Sequence, residues 1–247
     1  PILFGDLLIV NASDESMSII AFDKNSGEEK WRYQSPQLEL TYNTPLVHKL
    51  KSGKVEIVLA APDELFALDP KTGKKLWFAK TDIPGNICPS VVSDGDLLFT
   101  TGGHPKKGSL AIKGGGRGDV TDQILWKSKS YSYVPSPVVK DEHAFWVNDG
   151  ADAFVMDLKT GKTVTKNKVE GIAKSRRMSF YGSALRVDDK LIVVSRKDGT
   201  FVFEANLEMK QVGQNHLGDD SDFNATPTLA KDALYLRSNE AIYCISK

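Results

Sequence analysis

The sequence predicts an all-β protein, a β-propeller built of four-stranded antiparallel blades. Three observations predict this fold: a turn motif that recurs, a proline that recurs at the same period, and short apolar runs separated by turn residues. The turn motif lies in Ala21–Gly27, Ala67–Gly73 and Val155–Gly161, at intervals of about 46 residues and then twice about 44. Two independent markers agree on one period, so chance similarity is improbable.

The second marker is a proline that precedes a short apolar run. Ala184 occupies one of the six positions that the period requires, and proline occupies the others: Pro1, Pro45, Pro89, Pro137 and Pro227. Steps of about 43 to 48 residues tile the chain into six repeat units. We predict a single propeller domain over 1–247 with units at 1–34, 35–80, 81–128, 129–168, 169–213 and 214–247.

The second unit shows the strands that we expect in each repeat. Its apolar runs are Thr44–His48, Val55–Ala60, Leu65–Leu68 and Lys75–Ala79. Runs of four to six residues between Gly, Asp and Pro are too short for helices, and the sequence shows no stripe with a 3.6-residue period. Four strands per repeat of about 40–50 residues are typical of a propeller blade.

The Asp-x-x-Thr-Gly turn reverses the third strand into the outermost one. The Asp side chain accepts hydrogen bonds from backbone N–H groups two residues on, and Gly takes the positive φ that ends the turn. Trp31, Trp77 and Trp126 lie near the end of that outer strand, where we predict that each ring covers the seam between neighbouring blades. Burial of such a ring contributes roughly 1.5–3 kcal/mol.

Composition and charge exclude several classes of function. The 247 residues carry 32 basic and 32 acidic side chains, so the general attraction to nucleic acid is absent. No apolar run approaches the ~18 residues of a transmembrane helix. Two cysteines, Cys88 and Cys244, exclude a disulfide framework, and their apolar neighbours favour buried thiols. Because the chain opens on Pro1, we expect a processed or excised piece.

These repeats resemble the pyrroloquinoline-quinone-like (quinoprotein-like) β-propeller repeat family. The Pro-led strand, the Ala-x-Asp-x-x-Thr-Gly turn and the Trp carry the resemblance along the whole chain, most clearly in units one, two and four. The resemblance implies a seven- or eight-bladed ring that lacks its N-terminal portion here; six blades with a three-stranded last blade is the alternative. It also implies an extracytoplasmic location, periplasmic or secreted.

The quinone-dependent dehydrogenases of this family use an adjacent Cys-Cys disulfide, a calcium ion held by carboxylate and amide ligands, and a catalytic Asp. Cys88 and Cys244 are not adjacent. No two histidines have the His-x-His or His-x-x-x-His spacing that is typical of a zinc site. The histidines are His48, His104, His143 and His216. We therefore predict no catalytic residue, no cofactor and no metal. A quinone-dependent dehydrogenase-like or carbohydrate-active enzyme is the alternative.

Two loops have unusual compositions. We interpret the acidic loop Asp219–Asp222 as a solvated turn, since it lacks the Gly and the distal Glu of a calcium-binding loop. The insertion Gly102–Asp119 combines clustered glycines with Lys and Arg, a composition that suits an anion. We interpret this insertion as a packed loop, with anion binding as the alternative.

The candidate site lies in the connections that precede each strand-starting position. In a propeller, the connections from the outer strand of one blade to the inner strand of the next open on one face around the central channel. Aromatic, amide and basic side chains there suit a protein, peptide or carbohydrate ligand. The candidates are Tyr42, Asn86, Tyr133, Arg176, Arg177, Phe180, Tyr181, Phe223 and Asn224. The alternative is that they fill the neck of the channel.

The function predicted from the sequence is a non-catalytic binding scaffold. We expect a protein or carbohydrate ligand at the funnel face, no nucleic acid and no transmembrane segment. The oligomeric state is left open, because nothing in the sequence addresses it.

Overall fold

A computed structural model of the protein describes residues 1–173 and 178–246. Strands make up 49% of the structure and helices 4%. Strands pair antiparallel with their neighbours in every sheet of the described residues, apart from one two-residue strand. The predicted fold class, a propeller of four-stranded antiparallel blades, is confirmed. The blade number of the ring and the boundaries of the repeat units stay predictions.

The chain divides into two compact units. The first unit comprises Pro1–Tyr133 together with Leu158–Gly161, and the second comprises Val134–Asp157 and Lys162–Lys247. No helix in the described part of the chain has the length and apolar character that crossing a bilayer requires.

The first unit contains three sheets whose strands follow one another along the chain. The first sheet consists of β1 (Ile2–Phe4), β2 (Leu7–Ala12), β3 (Ser18–Asp23) and β4 (Glu29–Gln34), with the one-turn helix α1 (Ser13–Ser16) after β2. The second consists of β5 (Leu46–Lys49), β6 (Val55–Ala61), β7 (Glu64–Leu68) and β8 (Lys75–Lys80). The third consists of β9 (Val92–Asp94), β10 (Leu97–Gly102), β11 (Gly108–Lys113) and β13 (Ile124–Ser128). The short strand β12 (Gly118–Asp119) lies between β11 and β13 in the chain but is the fifth strand of the second sheet, beside β8. Two 3-10 turns occur, at Pro36–Leu38 and Thr121–Gln123.

The second unit contains the remaining sheets. The fourth sheet consists of β14 (Val138–Lys140), β15 (His143–Val147), β16 (Asp152–Asp157) and β17 (Thr163–Lys168). The fifth consists of β18 (Leu185–Val187), β19 (Lys190–Val194), β20 (Thr200–Glu204) and β21 (Gln211–Asn215). The sixth has three strands, β22 (Thr228–Ala230), β23 (Ala233–Arg237) and β24 (Ile242–Ile245).

The core of the first unit lies between the faces of its sheets. Successive side chains of a strand point to opposite faces of the sheet, so the continuous apolar runs of β6 and β7 bury residues on both faces. Ile9 and Ile19 of the first sheet pack with Leu59 and Phe66 of the second in one cluster. The opposite face of the second sheet packs against the third sheet in a second cluster, in which Trp77 is 1% exposed.

The turns between the third and fourth strands have the predicted geometry. Asp69 Oδ1 accepts hydrogen bonds from the backbone N–H groups of Lys71 and Thr72, both at 2.9 Å. Gly73 ends the turn at φ +69°, a conformation that a side chain strains. The turn at Asp23 repeats this pattern, and the hydrogen bonds from Ser26 and Asn25 lower the pKa of Asp23.

Two of the three predicted docking tryptophans contact the turn of the following repeat. Trp31 Nε1 donates to the carbonyl of Pro70 at 3.0 Å. Trp126 Nε1 donates to the carbonyl of Leu158 at 2.8 Å. Each ring therefore joins two repeats within the first unit.

Gly73→Ala is expected to destabilise the protein more than Gly27→Ala, the matched change in the preceding repeat. The backbone φ is positive at both positions, and a residue with a Cβ is strained there by about 1–2 kcal/mol. At position 73 this Cβ would also lie 2.5 Å from Trp31 Cε3, whereas nothing lies within 4 Å at position 27. We expect Gly73→Ala to lower the free energy of unfolding by about 1–3 kcal/mol more than Gly27→Ala does, as measured by urea denaturation. Equal losses would contradict the packing of Trp31 on this turn.

Candidate functional site

Hydrogen bonds between backbone segments fix the sheet-to-sheet connections of the first unit. The backbone N–H of Tyr42 donates to the carbonyl of Ile87 at 2.9 Å, and the N–H of Ile87 donates to the carbonyl of Leu40 at 3.0 Å. The N–H of Gly103 donates to the carbonyl of Asn86 at 3.2 Å. Side chains on these connections are therefore held by rigid backbone.

Aromatic and amide side chains meet on these connections. Asn86 Nδ2 donates to the Tyr133 hydroxyl at 3.2 Å. The His104 ring lies 4.9 Å from the Tyr133 ring, and Lys107 Nζ lies 4.0 Å from the centre of the Tyr131 ring. We call Asn86, His104, Tyr131 and Tyr133, together with Tyr42, the aromatic surface.

Tyr42 is the most open tyrosine of the aromatic surface, with 48% of its area exposed. Partial burial and, after it, the charge of Asp14 raise the pKa of its hydroxyl, and Tyr133 contributes a smaller effect. The structure thus brings together the three candidates of the first unit, Tyr42, Asn86 and Tyr133. His104 and Tyr131 were missed, because neither precedes a strand-starting proline by three or four residues.

In the second unit, two candidates gather around an arginine that the sequence did not indicate. Arg196 Cζ lies 4.6 Å from the centre of the Tyr181 ring. Its Nε donates to Asn224 Oδ1 at 3.0 Å, and its Nη2 pairs with Asp222 Oδ2 at 2.6 Å. Arg196 follows β19, and only the folded backbone places it beside the loop that carries Asn224.

The prediction that Phe180 and Phe223 present their rings to a ligand is wrong. Phe180 is 0% exposed and Phe223 is 7% exposed. The Phe180 ring meets Phe201 edge to face at 5.7 Å, and Phe223 stacks on Tyr243 at 6.0 Å. Burial of an apolar ring is favourable by about 1.5–3 kcal/mol relative to exposure, so both rings pack into the interior. Two further candidates, Arg176 and Arg177, lie outside the described residues.

The insertion Gly102–Asp119 is only in part the packed loop that the sequence predicts: Gly108–Lys113 forms β11, and the glycine-rich part after it packs against the second sheet. β12 pairs in parallel with β8, placing Gly118 opposite Trp77. The backbone N–H of Gly115 donates to both carboxylate oxygens of Glu56, at 3.1 and 3.3 Å. The glycines therefore direct a backbone donor to an anion, and that anion is a side chain of the protein itself.

A buried polar network lies beneath this insertion. His48 and Glu56 are cross-strand partners in β5 and β6, and each is 1% exposed. His48 Nδ1 lies 3.0 Å from Glu56 Oε1, and His48 Nε2 lies 2.9 Å from the Gly95 carbonyl. Trp77 Nε1 donates to Glu56 Oε2 at 2.8 Å. A Cβ at Gly114 would lie 2.6 Å from Glu56 Oε1, so only glycine fits over the pair.

This network favours the charged form of His48. A carboxylate and a carbonyl only accept hydrogen bonds, so both ring nitrogens donate. Burial by itself lowers the pKa of His48, but the hydrogen bonds to Glu56 and Gly95 outweigh it, and the net result is a raised pKa. The pair fastens the insertion to the second sheet. Neither side chain is exposed to a ligand.

The described residues contain no group of three or more His, Cys, Asp or Glu side chains that could hold a metal ion. In the acidic loop, Asp219 accepts hydrogen bonds from the backbone N–H of Ser221 and from the Tyr243 hydroxyl, both at 2.7 Å. Hydrogen bonds from Ser238, Ser221 and Tyr243 hold the pKa of Asp219 well below its usual range. The loop is thus an ordered turn with its own donors.

Both cysteines are free thiols, and the expectation that both are buried is wrong. Cys88 is half-buried and Cys244 is exposed. Cys244 lies in β24, the outer strand of the three-stranded sixth sheet, where no fourth strand pairs with it in the described part of the chain. The apolar neighbours of Cys244 in the sequence indicated a strand, but they did not show that this strand lies at an uncovered edge of its sheet.

Residues 1–167 match the family described as outer membrane protein assembly factor BamB. The chain belongs to the BamB family. The match confirms the resemblance to pyrroloquinoline-quinone-like propellers, and it includes the aromatic surface of the first unit.

Two curated relatives of this BamB-family chain are quinoprotein ethanol dehydrogenases. The one from Pseudomonas aeruginosa is 31% identical over 157 residues, which cover 63% of this chain and 22% of the relative. The one from Pseudomonas putida is 26% identical over 163 residues, which cover 65% of this chain and 23% of the relative. The matches thus span less than a quarter of the length of these enzymes.

Two solved structures have the same fold as this BamB-family chain. BamB from Moraxella catarrhalis superposes with a TM-score of 0.70 at 15% identity, over 97% of this chain and 66% of that one. The computationally designed Ika8 protein superposes with a TM-score of 0.71 at 12% identity, over 99% of this chain and 70% of that one. At this identity the likeness concerns the fold alone.

Two features that the resemblance assigns to the quinone site of the dehydrogenases are not found among the described residues. The family's enzymes require adjacent cysteines, and Cys88 and Cys244 are separate free thiols. Their calcium ion requires a cluster of oxygen ligands, and the described residues supply no group of carboxylates that could hold a metal.

Proposed function

We propose that this protein is a non-catalytic scaffold that binds another protein through the aromatic surface of its first unit. The observation that carries this proposal is the convergence of Tyr42, Asn86 and Tyr133 on hydrogen-bonded connections, with His104 added by the insertion. Tyrosine is enriched among the residues that dominate protein interfaces, since it gives a large contact area and a polar end.

The rigidity of the surface also supports binding. Backbone hydrogen bonds hold the connection that carries Tyr42, and beside Tyr133 the N–H of Ser132 donates to Thr101 Oγ1 at 2.9 Å, so both tyrosines are positioned before a partner arrives. Ordering flexible loops on binding would cost affinity, and a preformed surface avoids that cost. A rigid propeller with tyrosines on its loops therefore suits protein recognition.

We propose that the partner takes part in outer membrane protein assembly and that this protein acts outside the cytoplasm. This rests on the description of its family as an outer membrane protein assembly factor.

Position-specific photocrosslinking tests the scaffold proposal. A photoreactive phenylalanine analogue replaces Tyr42 or Tyr133, and a matched control replaces Asn25 in the exposed turn at Asp23. In cells of the native organism, we expect covalent adducts to the same protein from positions 42 and 133, and none from position 25. Adducts from all three positions alike, or from none, would refute binding at the aromatic surface.

A quinone-dependent dehydrogenase-like activity is the second candidate, favoured by the identity with two quinoprotein ethanol dehydrogenases. Titration with pyrroloquinoline quinone and Ca²⁺ separates the two functions. The scaffold proposal expects no change in the quinone absorption spectrum and no dye-linked ethanol oxidation. Saturable quinone binding with alcohol-dependent dye reduction would replace the scaffold by an enzyme.

A further inference from the structure

A depression of about 340 Å³ adjoins the aromatic surface and shares Tyr42 with it. On one side it is lined by Asn11 at the end of β2 and by Asp14 and Glu15 of α1. On the other side it is lined by Thr41, Tyr42 and Asn43, from the connection that leads to the second sheet. All of these residues belong to the first unit.

The charge around the depression is negative. Asp14 and Glu15 are exposed, and among the described residues that line the depression the amino group of Pro1 is the one cationic group, so the two carboxylates outnumber it. Neither carboxylate has an ion-pair partner in the described ranges 1–173 and 178–246. Glu39 adds a third negative charge close enough to affect the Tyr42 hydroxyl. A cation would therefore be attracted to this position.

Two buried polar side chains that line the depression have unused hydrogen-bonding atoms. Thr41 is 1% exposed and Asn43 is 2% exposed, and neither Thr41 Oγ1 nor Asn43 Oδ1 has a partner among the described residues. Asn43 Nδ2 donates to the Ala60 carbonyl at 2.6 Å, so the acceptor end of this amide is the unused one. A buried acceptor without a donor is costly, and a donor from a ligand would remove that cost once the side chains that shield the atom move aside.

Hydrogen bonds from Asn11 and Ser13 hold the backbone of Thr41 and Asn43 in place. Asn11 Nδ2 donates to the carbonyls of Thr41 at 3.0 Å and Asn43 at 2.8 Å. The Ser13 hydroxyl donates to the Thr41 carbonyl as well. The backbone beneath the depression is thus held in place, Asn43 Oδ1 can only accept a hydrogen bond, and the Thr41 hydroxyl can accept or donate one.

We propose that this depression binds a lysine or arginine side chain of the protein partner, an inference that rests on the proposed scaffold function. The cationic head supplies donors to Asp14, Glu15 and Asn43 Oδ1, whose unused capacity is all for acceptance. The exposed Tyr42 ring adds a face on which a guanidinium or ammonium group can lie. The site sets the position of a basic residue on the partner relative to the tyrosines.

Peptide titration followed by NMR tests this site on the full chain. The probes are acetyl-Gly-Arg-Gly-amide and its neutral isostere acetyl-Gly-citrulline-Gly-amide. We expect saturable shifts of the amides of Asp14, Tyr42 and Asn43 with the arginine peptide, at a Kd of about 1–20 mM. The citrulline peptide should bind at least tenfold more weakly. Equal binding of both peptides, or no shifts with the arginine peptide, would overturn the proposal.

Charge-matched variants separate a specific site from general attraction. The double variant Asp14→Asn with Glu15→Gln should bind the arginine peptide at least tenfold more weakly. The control variant Asp122→Asn with Glu208→Gln removes the same charge elsewhere and should leave the affinity for the peptide unchanged. Similar losses in both variants would reduce the site to nonspecific attraction. If crosslinking succeeds and the peptide fails, only this pocket is refuted. If the peptide binds and crosslinking fails, the scaffold function falls instead.

Discussion

Trp77→Ala is expected to lower the free energy of unfolding by about 3–5 kcal/mol, as large truncations in a core do. Trp77 is 1% exposed in the cluster between the second and third sheets. Its ring lies against Gly116 of the glycine-rich insertion, and its Nε1 donates to buried Glu56. The truncation therefore leaves a cavity and removes a donor from a buried carboxylate. Urea denaturation followed by circular dichroism measures the loss.

Two companion variants separate packing from hydrogen bonding. Trp77→Phe keeps most of the ring volume and loses the N–H, so we expect about 1–3 kcal/mol of destabilisation. Trp126→Ala removes a ring that is only half-buried, and should cost less than Trp77→Ala. An unchanged unfolding midpoint for Trp77→Ala would show that this ring does not hold the insertion to the second sheet.

Glu56→Ala is the second change with a large expected effect, about 3–5 kcal/mol. It leaves the His48 imidazolium buried without its counter-charge, and it deprives Trp77 Nε1 and the Gly115 N–H of their acceptor. Glu64→Ala is the matched control, since Glu64 pairs with Lys75 nearer the surface and should cost about 1 kcal/mol or less. Similar losses in both variants would contradict the buried network.

The same network predicts how stability depends on pH. The folded-state pKa of His48 is raised above its ordinary value of 6.5. The stabilisation from the charged ring is therefore fully present below about pH 6.5 and is lost as the pH rises through the raised pKa. Between pH 6 and pH 9, wild type should lose more unfolding free energy than His48→Gln, whose side chain does not titrate. Parallel curves would show that the ring is not charged in the folded protein.

The sequence predicted the repeating parts of the fold closely. The predicted runs Val55–Ala60 and Leu65–Leu68 correspond to β6 and β7, whose bounds differ by at most one residue at either end. This accuracy has a physical origin: the turn chemistry at Asp69 and Gly73 and the short apolar runs are local signals, and local signals are visible in a sequence.

What the sequence missed depends on contacts between distant segments. β12 pairs in parallel with β8 about 40 residues earlier, and nothing in a Gly-rich composition specifies that partner. Phe180 and Phe223 lie in the predicted kind of loop, but their rings are buried. The sequence of a connection does not show which of its side chains turn towards the core. His48 and Glu56 are recognisable as a pair only once the register of β5 and β6 is known.

The candidate site was therefore predicted in part. Tyr42, Asn86 and Tyr133 could be located from the sequence because their position in each repeat, just before a strand, recurs with the period. The contributions of His104 and Lys107 come from an insertion that breaks the repeat. The acidic depression adds side chains of α1, a single turn that no periodic signal marks.

Hydrogen exchange of the purified protein, with and without the partner identified by crosslinking, tests binding at the aromatic surface most directly. We expect slowed exchange of the amides in 40–44, 85–88 and 103–107 when the partner is bound, and unchanged exchange in the turns Asp23–Gly27 and Asp69–Gly73. Slowed exchange in those turns, with the three loop segments unaffected, would place the interface elsewhere and contradict the proposed function.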